Sequence, residues 1–140
     1  MVVEGIIVRY YCPNCWKDFE NDFQICPNCG VNLPVFLEGK DYVDNLIIAL
    51  NHPERETPIR IAWILGRLRD ERAVEPLINL LETTKDVYIA CAAVKALGQL
   101  NTLRTRQYLS DIAVTHPAAM VRDEAGEALS QSVERVEKVR

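Results

Sequence analysis

Histidine is nearly missing from this chain: 140 residues contain two, His52 and His116, and neither precedes a Glu. Two imidazoles alone fall short of a metal shell. No Ser/His/Asp or Cys/His set, Gly-rich phosphate loop or recognisable carboxylate pair is present, so the chain is read as no enzyme. A surplus of Lys and Arg is missing too. The net charge is −4, with five acids against two bases in residues 1–39 and fifteen against fourteen in residues 40–140. Phosphate backbones select for the opposite balance, which makes nucleic acid a poor partner. No stretch approaches the ~20 apolar residues that span a bilayer. The opening MVVEGIIVRYY carries Glu4 and Arg9 and has no likeness to an export signal, so a cytoplasmic protein without membrane contact is expected.

What is present begins with cysteine. Four of the five form two knuckles, Cys12-Pro13-Asn14-Cys15 and Cys26-Pro27-Asn28-Cys29, with ten residues between them. A Cys-x2-Cys turn presents two thiolates to one ion. Two such turns close a tetrahedral shell and leave no position for water or substrate. The expectation is one structural Zn²⁺ on Cys12, Cys15, Cys26 and Cys29. Two disulfides are the competing reading, and in a chain without an export signal the spacing favours metal. Cys91, the odd cysteine, is expected to be a half-buried thiol with no base beside it.

The segment YYCPNCWKDFENDFQICPNCGVNLP resembles the short zinc-ribbon family, in which two CPxCG knuckles frame a small hairpin. The likeness covers roughly residues 10–34, including Gly30 and Leu33 after the second knuckle. It departs once: Trp16 stands where the first knuckle usually has Gly, so that turn must be strained or open differently. Iron held as in rubredoxin needs an aromatic core that ten residues cannot supply. Lys17 is outnumbered by Asp18, Glu20 and Asp22, which favours docking on protein over phosphate.

The rest of the chain repeats. Ile64-Leu65-Gly66, Ala96-Leu97-Gly98 and Ala128-Leu129-Ser130 recur at an offset of 32 residues, and so do Ile48, Leu80 and Ile112. Arg72 and Arg104 keep the same offset. A fixed period in this range marks stacked supersecondary units. Each unit reads as two helices. AVEPLINLLE is the first of the middle unit, with Pro76 in its first turn, and Ile89, Ala93, Ala96 and Leu97 stripe the second. Leu65, Leu97 and Leu129 are expected at equivalent buried places. His52, Thr84 and His116 share one repeat position just ahead of the second helix, which makes the histidines turn residues. The segments AVEPLINLL, VYIACAAVKALGQL and MVRDEAGEALSQ resemble HEAT-like repeats of the type found in phycobilisome lyases. The resemblance implies the repeat fold, which serves scaffolds, lyase subunits and enzymes alike. Its di-iron branch, the deoxyhypusine hydroxylases, uses His-Glu dipeptides that are absent here.

Equivalent positions also differ. Ile59 and Trp63 in the first unit become Cys91 and Lys95 in the second and Asp123 and Glu127 in the third. With Arg60 and Arg67 beside them, Ile59 and Trp63 form a candidate partner-binding patch. A competing use is as a seat for the apolar linker VNLPVFLEG, residues 31–39, which would cap the open end of the stack. The linker, around Phe36, is expected to cover Trp63. At the far end Val133 and Val136 extend the stripe into a charged cap of Glu134, Arg135, Glu137 and Lys138.

The expectation is therefore a mainly α chain. A small N-terminal β zinc ribbon and linker occupy residues 1–39, and a three-repeat α-solenoid occupies residues 40–140, with repeats at about 41–71, 72–103 and 104–136. The function expected is protein–protein interaction, as an adaptor or assembly factor, monomeric or homodimeric. The alternatives are a nucleic-acid-binding ribbon, using Arg55, Arg60, Arg67, Arg69 and Arg72, and an accessory subunit of a lyase-like enzyme.

Overall fold

The computed structural model describes the backbone of residues 8–139 and side chains from residue 8 to residue 131. Residues 1–7, with Glu4, lie outside the described residues. So do the side chains of Val133, Glu134, Arg135, Val136, Glu137 and Lys138, to which the end cap was assigned.

Two short antiparallel strands, β1 (Tyr10–Tyr11) and β2 (Asp18–Phe19), flank the first knuckle, with Tyr10 opposite Phe19 and Tyr11 opposite Asp18. An isolated bridge between Ile25 and Asn32 brackets the second knuckle. A single helical turn follows, α1 (Leu33–Leu37), capped by Asn32. Then come three helical pairs: α2 (Tyr42–Ala49) with α3 (Glu56–Leu68), α4 (Val74–Thr83) with α5 (Val87–Leu100), and α6 (Leu103–Thr115) with α7 (Ala119–Val139).

The 32-residue period is visible in the backbone. The second helices of the first two pairs end in left-handed caps at Arg69 and Asn101, with φ of 54° and 51°. Asp70 and Thr102 follow and cap the next segment with their side chains. Each inter-helix turn is closed the same way. The backbone N–H two residues on donates to His52 Nδ1, Thr84 Oγ1 and His116 Nδ1, at 3.1 Å in all three. The histidines are turn residues, as their register implies. Arg72 and Arg104 bridge neighbouring units, Arg72 to Asp41 and Asp44 and Arg104 to Glu75. These pairs are exposed, so they align the units more than they stabilise them.

The core is one contiguous cluster from Leu46 to Ala128, and no described residue of the ribbon belongs to it. α5 lies at its centre, in contact with α3, α4, α6 and α7. Leu65 and Leu97 are fully buried. Leu129, expected to match them, is only partly buried, and Ala128 takes the inner place. α5 packs on both α3 and α7, whereas among the described residues no later helix packs on the outer side of α7.

Gly66 and Gly98 mark where the second helices cross most closely. A Cβ on Gly66 would sit 2.9 Å from Ala96 Cα and 2.6 Å from Gln99 Oε1, and one on Gly98 would sit 2.9 Å from Ala128 Cβ. Gly126, in the body of α7, faces open space. Alanine is the better helix former by about 1 kcal/mol. Opposite signs are therefore expected. Gly66→Ala should destabilise by about 1–2 kcal/mol, because overpacking outweighs propensity, and Gly126→Ala should stabilise by about 0.5–1 kcal/mol. Urea unfolding of the two variants checks this.

Candidate metal centre and docking face

The two knuckles are near copies in their hydrogen bonding. Trp16 N–H donates to Cys12 O at 2.7 Å and Gly30 N–H to Cys26 O at 2.9 Å. Cys12 N–H donates to Lys17 O and Cys26 N–H to Val31 O. Both turns therefore need a left-handed residue after the second cysteine. Gly30 supplies it at φ 77°, and Trp16 adopts it at φ 62°. The first knuckle is thus strained rather than differently opened, at a cost of about 1–2 kcal/mol for a residue carrying a Cβ.

The four Sγ atoms lie within 4.8 Å of one another, and none is in a disulfide. Sγ of Cys12 is 3.7 Å from that of Cys29, and Sγ of Cys15 is 3.7 Å from that of Cys26. A tetrahedron with ligand bonds of ~2.3 Å has edges of ~3.8 Å, so the set is spaced for a tetrathiolate site. Among the described residues this is the one cluster of Cys, His, Asp or Glu that could hold a metal ion.

Around the sulfurs stands a set of donors that the spacing did not reveal. Asn14 Nδ2 donates to Cys29 Sγ and Asn28 Nδ2 to Cys15 Sγ, both at 3.5 Å, so each knuckle's asparagine serves the other knuckle. The N–H groups of Asn28 and Cys29 point to Cys26 Sγ at 3.4 Å. Donors favour the thiolate. The hydrogen bond from Asn14 is the first cause that pulls Cys29 down to about 6, and that from Asn28 is the first cause lowering Cys15. Burial acts the other way on Cys12 and pushes it up to about 11. Metal ligation requires the thiolate, so Cys15 and Cys29 are readier ligands than Cys12.

The strained turn has a use. Trp16 packs its ring 5.0 Å from that of His52, and Tyr11 packs 4.4 Å from the same imidazole. The Tyr11 hydroxyl donates to Glu54 Oε1 at 2.6 Å, and this bond is the main cause raising its pKa. The ribbon is therefore seated on the turn between α2 and α3. The sequence placed His52 in that turn but not its two aromatic neighbours. The signal was Trp16, a large ring where the turn calls for no side chain.

The candidate partner patch lies on the second helices. Ile59 and Trp63 of α3 line a groove of about 480 Å³ with Tyr88, Cys91, Ala92, Lys95, Ala96 and Gln99 of α5. Trp63 is 58% exposed. This corrects the expectation that the linker covers it. No linker residue lines the groove, and α1 leaves Val35 65% exposed. Trp63 projects away from the buried stripe of Pro58, Ala62 and Leu65, into space bounded by α3 and α5. Arg67 stacks over the Trp63 ring at 4.9 Å and Arg55 over the Tyr88 ring at 4.6 Å. Arg60 is exposed beside them. Cys91 is buried rather than half-buried, and burial raises its thiol.

Of the five arginines considered for nucleic acid, Arg60, Arg67 and Arg69 are exposed without an ion pair among the described residues, and the other two are engaged. Arg55 pairs with Asp86 at 2.6 Å, and Arg72 is taken up by Asp41, Asp44 and Asp70. Among the described residues no helix is long and apolar enough to cross a membrane.

The helical pairs, their shared caps and the α5-centred core describe a repeat stack, and a family comparison agrees. The HEAT-repeat family matches residues 43–130. The chain belongs to the HEAT-repeat family. Members of this family generally serve as protein-interaction and scaffold modules, most of them without enzymatic activity. A search of curated proteins finds no match to the chain. The family match begins beyond the ribbon, so the HEAT assignment covers the repeats and leaves the cysteine module to its own geometry.

Proposed function

We propose that this HEAT-repeat protein is a non-enzymatic interaction adaptor or assembly factor. The residues up to about 39 form a zinc-ribbon module, those from about 40 on form the repeat domain, and partners dock on the face of α3, α5 and α7. The observation that carries the reading is the groove at Trp63. A monomer has no packing reason to leave Trp63 and Tyr88 each 58% exposed side by side. Tryptophan, tyrosine and arginine together are the usual energetic anchors of an interface.

Zinc is the metal we assign to Cys12, Cys15, Cys26 and Cys29. Four thiolates close the shell, and of the three aromatics between the knuckles Phe19 and Phe23 pack on each other, centroids 5.1 Å apart, while Trp16 packs outward on His52. Elemental analysis of freshly purified protein should give one zinc per chain. Stoichiometric iron, or disulfides within the knuckles, overturns the assignment.

Trp63→Ala tests the docking face. Its ring is mostly exposed and its main contact is a surface cation–π pair, so stability should change by less than about 1 kcal/mol. A partner retained by the tagged wild-type chain from its native host should be lost by this variant. It should be kept by Val114→Ala, which removes an exposed side chain from α6. A partner that remains with Trp63→Ala refutes the docking face.

A further inference from the structure

Resting on the docking face just proposed, the inference concerns what that face recognises. Four of the described arginines form ion pairs. Arg9 pairs with Asp18, Arg55 with Asp86, Arg72 with Asp41, Asp44 and Asp70, and Arg104 with Glu75. Arg60, Arg67, Arg69 and Arg106 are exposed, and among the described residues no side-chain ion pair or hydrogen bond engages them; of these, Arg60 and Arg67 lie within α3 on the side of Trp63. This occurs in a chain of net charge −4, where carboxylates are the commoner charge. The two sit seven residues apart on α3, two helical turns, so they share one edge of the face that carries Trp63. Arg67 stacks on the Trp63 ring at 4.9 Å, and its N–H groups have no carboxylate partner among the described residues. Glu56, the acidic residue of that helix, lies in its first turn, one turn before Arg60 on the same edge, and forms no ion pair with it.

The charge changes sign across the face. Lys95 stands at the middle, 3.7 Å from Glu124. Asp123 and Glu127, the repeat equivalents of Ile59 and Trp63, are exposed on α7 and enter no ion pair among the described residues. Two interhelical steps of 8–10 Å separate α3 from α7, a span of roughly five or six extended residues.

We propose that the face binds a short segment of a partner protein whose bulky apolar side chain enters the groove between Trp63 and Tyr88 and whose acidic residues, on one side of that anchor, are taken by Arg60 and Arg67. The apolar floor of Ile59, Ala92 and Ala96 desolvates the anchor, and the flanking arginines fix direction and select against basic segments. A nucleic-acid strand fits less well, because a uniform polyanion that followed the face would meet Asp123 and Glu127.

The test is selection of displayed random peptides, about a dozen residues long, on the full-length protein. Enriched peptides should carry an aromatic or large aliphatic residue with at least two acids to one side. Their affinity should fall on the order of tenfold or more with Trp63→Ala. With Arg60→Glu/Arg67→Glu the selection should shift toward basic peptides. That reversal is not produced by a merely misfolded variant, and the circular dichroism of both variants should match wild type. Enriched peptides that need Trp63 but show no charge preference would overturn the acidic-segment proposal and leave the docking face standing. Peptides that bind Trp63→Ala as well as wild type, or no enrichment at all, would overturn both. Two further results also count against the acidic segment. One is a dimer in sedimentation that Trp63→Ala dissociates, since a second copy would then be the occupant. The other is a polythymidine strand that binds at physiological salt and depends on Arg60 and Arg67.

Discussion

Treatment with a strong chelator is expected to unfold the cysteine module and leave the repeats helical. Two observations set this expectation. The buried cluster from Leu46 to Ala128 contains no described residue of the ribbon. The ribbon, by contrast, has strands of two residues and, beyond its cysteines, little buried apolar surface of its own. Metal binding in comparable modules contributes roughly 10–16 kcal/mol, which such a segment cannot replace from its packing. Far-UV circular dichroism should therefore keep most of its helical signal. Trp16 fluorescence should change as its ring leaves His52, and Trp63→Ala isolates that signal by removing the second tryptophan. The repeats should also lose a little stability, because Tyr11 no longer holds Glu54 at the turn before α3. Loss of most of the helical signal would show instead that the ribbon is required for the stack to form.

Leu97→Ala should cost about 2–5 kcal/mol. Leu97 has no exposed surface and lies on α5, which is packed against α3, α4, α6 and α7. A cavity opened there is walled on every side, so collapse to fill it is limited and the cavity penalty adds to the lost burial. Leu129→Ala, at the same repeat position on the terminal helix, should cost clearly less, because Leu129 is already partly exposed. Chemical denaturation of the two variants gives the comparison. Equal costs would mean that the stack does not end at α7 in solution, as in a chain whose terminal helix is covered by another copy.

The repeat architecture was legible because it is written by local rules. Alternating apolar stripes at helical spacing, turn residues ahead of each second helix and a constant offset of 32 residues specify helical pairs that stack. His52, Thr84 and His116 show how far the register reaches. Three residues of two chemical types were assigned one role from position alone, and all three accept the same backbone hydrogen bond. The cysteine cluster was legible for a similar reason, since two Cys-x2-Cys turns ten residues apart have few other uses.

Other features depended on which surfaces meet. Gly66 and Gly98 recur in sequence at the 32-residue offset, but they are not the left-handed caps, which fall three residues later, at Arg69 and Asn101. The glycines are needed because α3, α5 and α7 cross too closely for a Cβ. The reciprocal bonds from Asn14 and Asn28 are equally hidden, because each reaches the opposite knuckle. The linker misled for a physical reason. Its apolar residues and the exposed ring of Trp63 looked matched, but nothing local constrains where a five-residue helix lands relative to a helix two elements on.

From the order of its residues alone this chain was determined to carry a tetrathiolate knuckle pair and three stacked helical pairs, because both are set by spacing along the backbone. Only the tertiary structure decided that the ribbon sits on His52 and Glu54, that Trp63 stays open to solvent, and that Arg60 and Arg67 enter no ion pair among the described residues. Those outcomes depend on distances between segments far apart in the chain, where side-chain shape and charge, and not periodicity, determine which surface is covered and which is left for a partner.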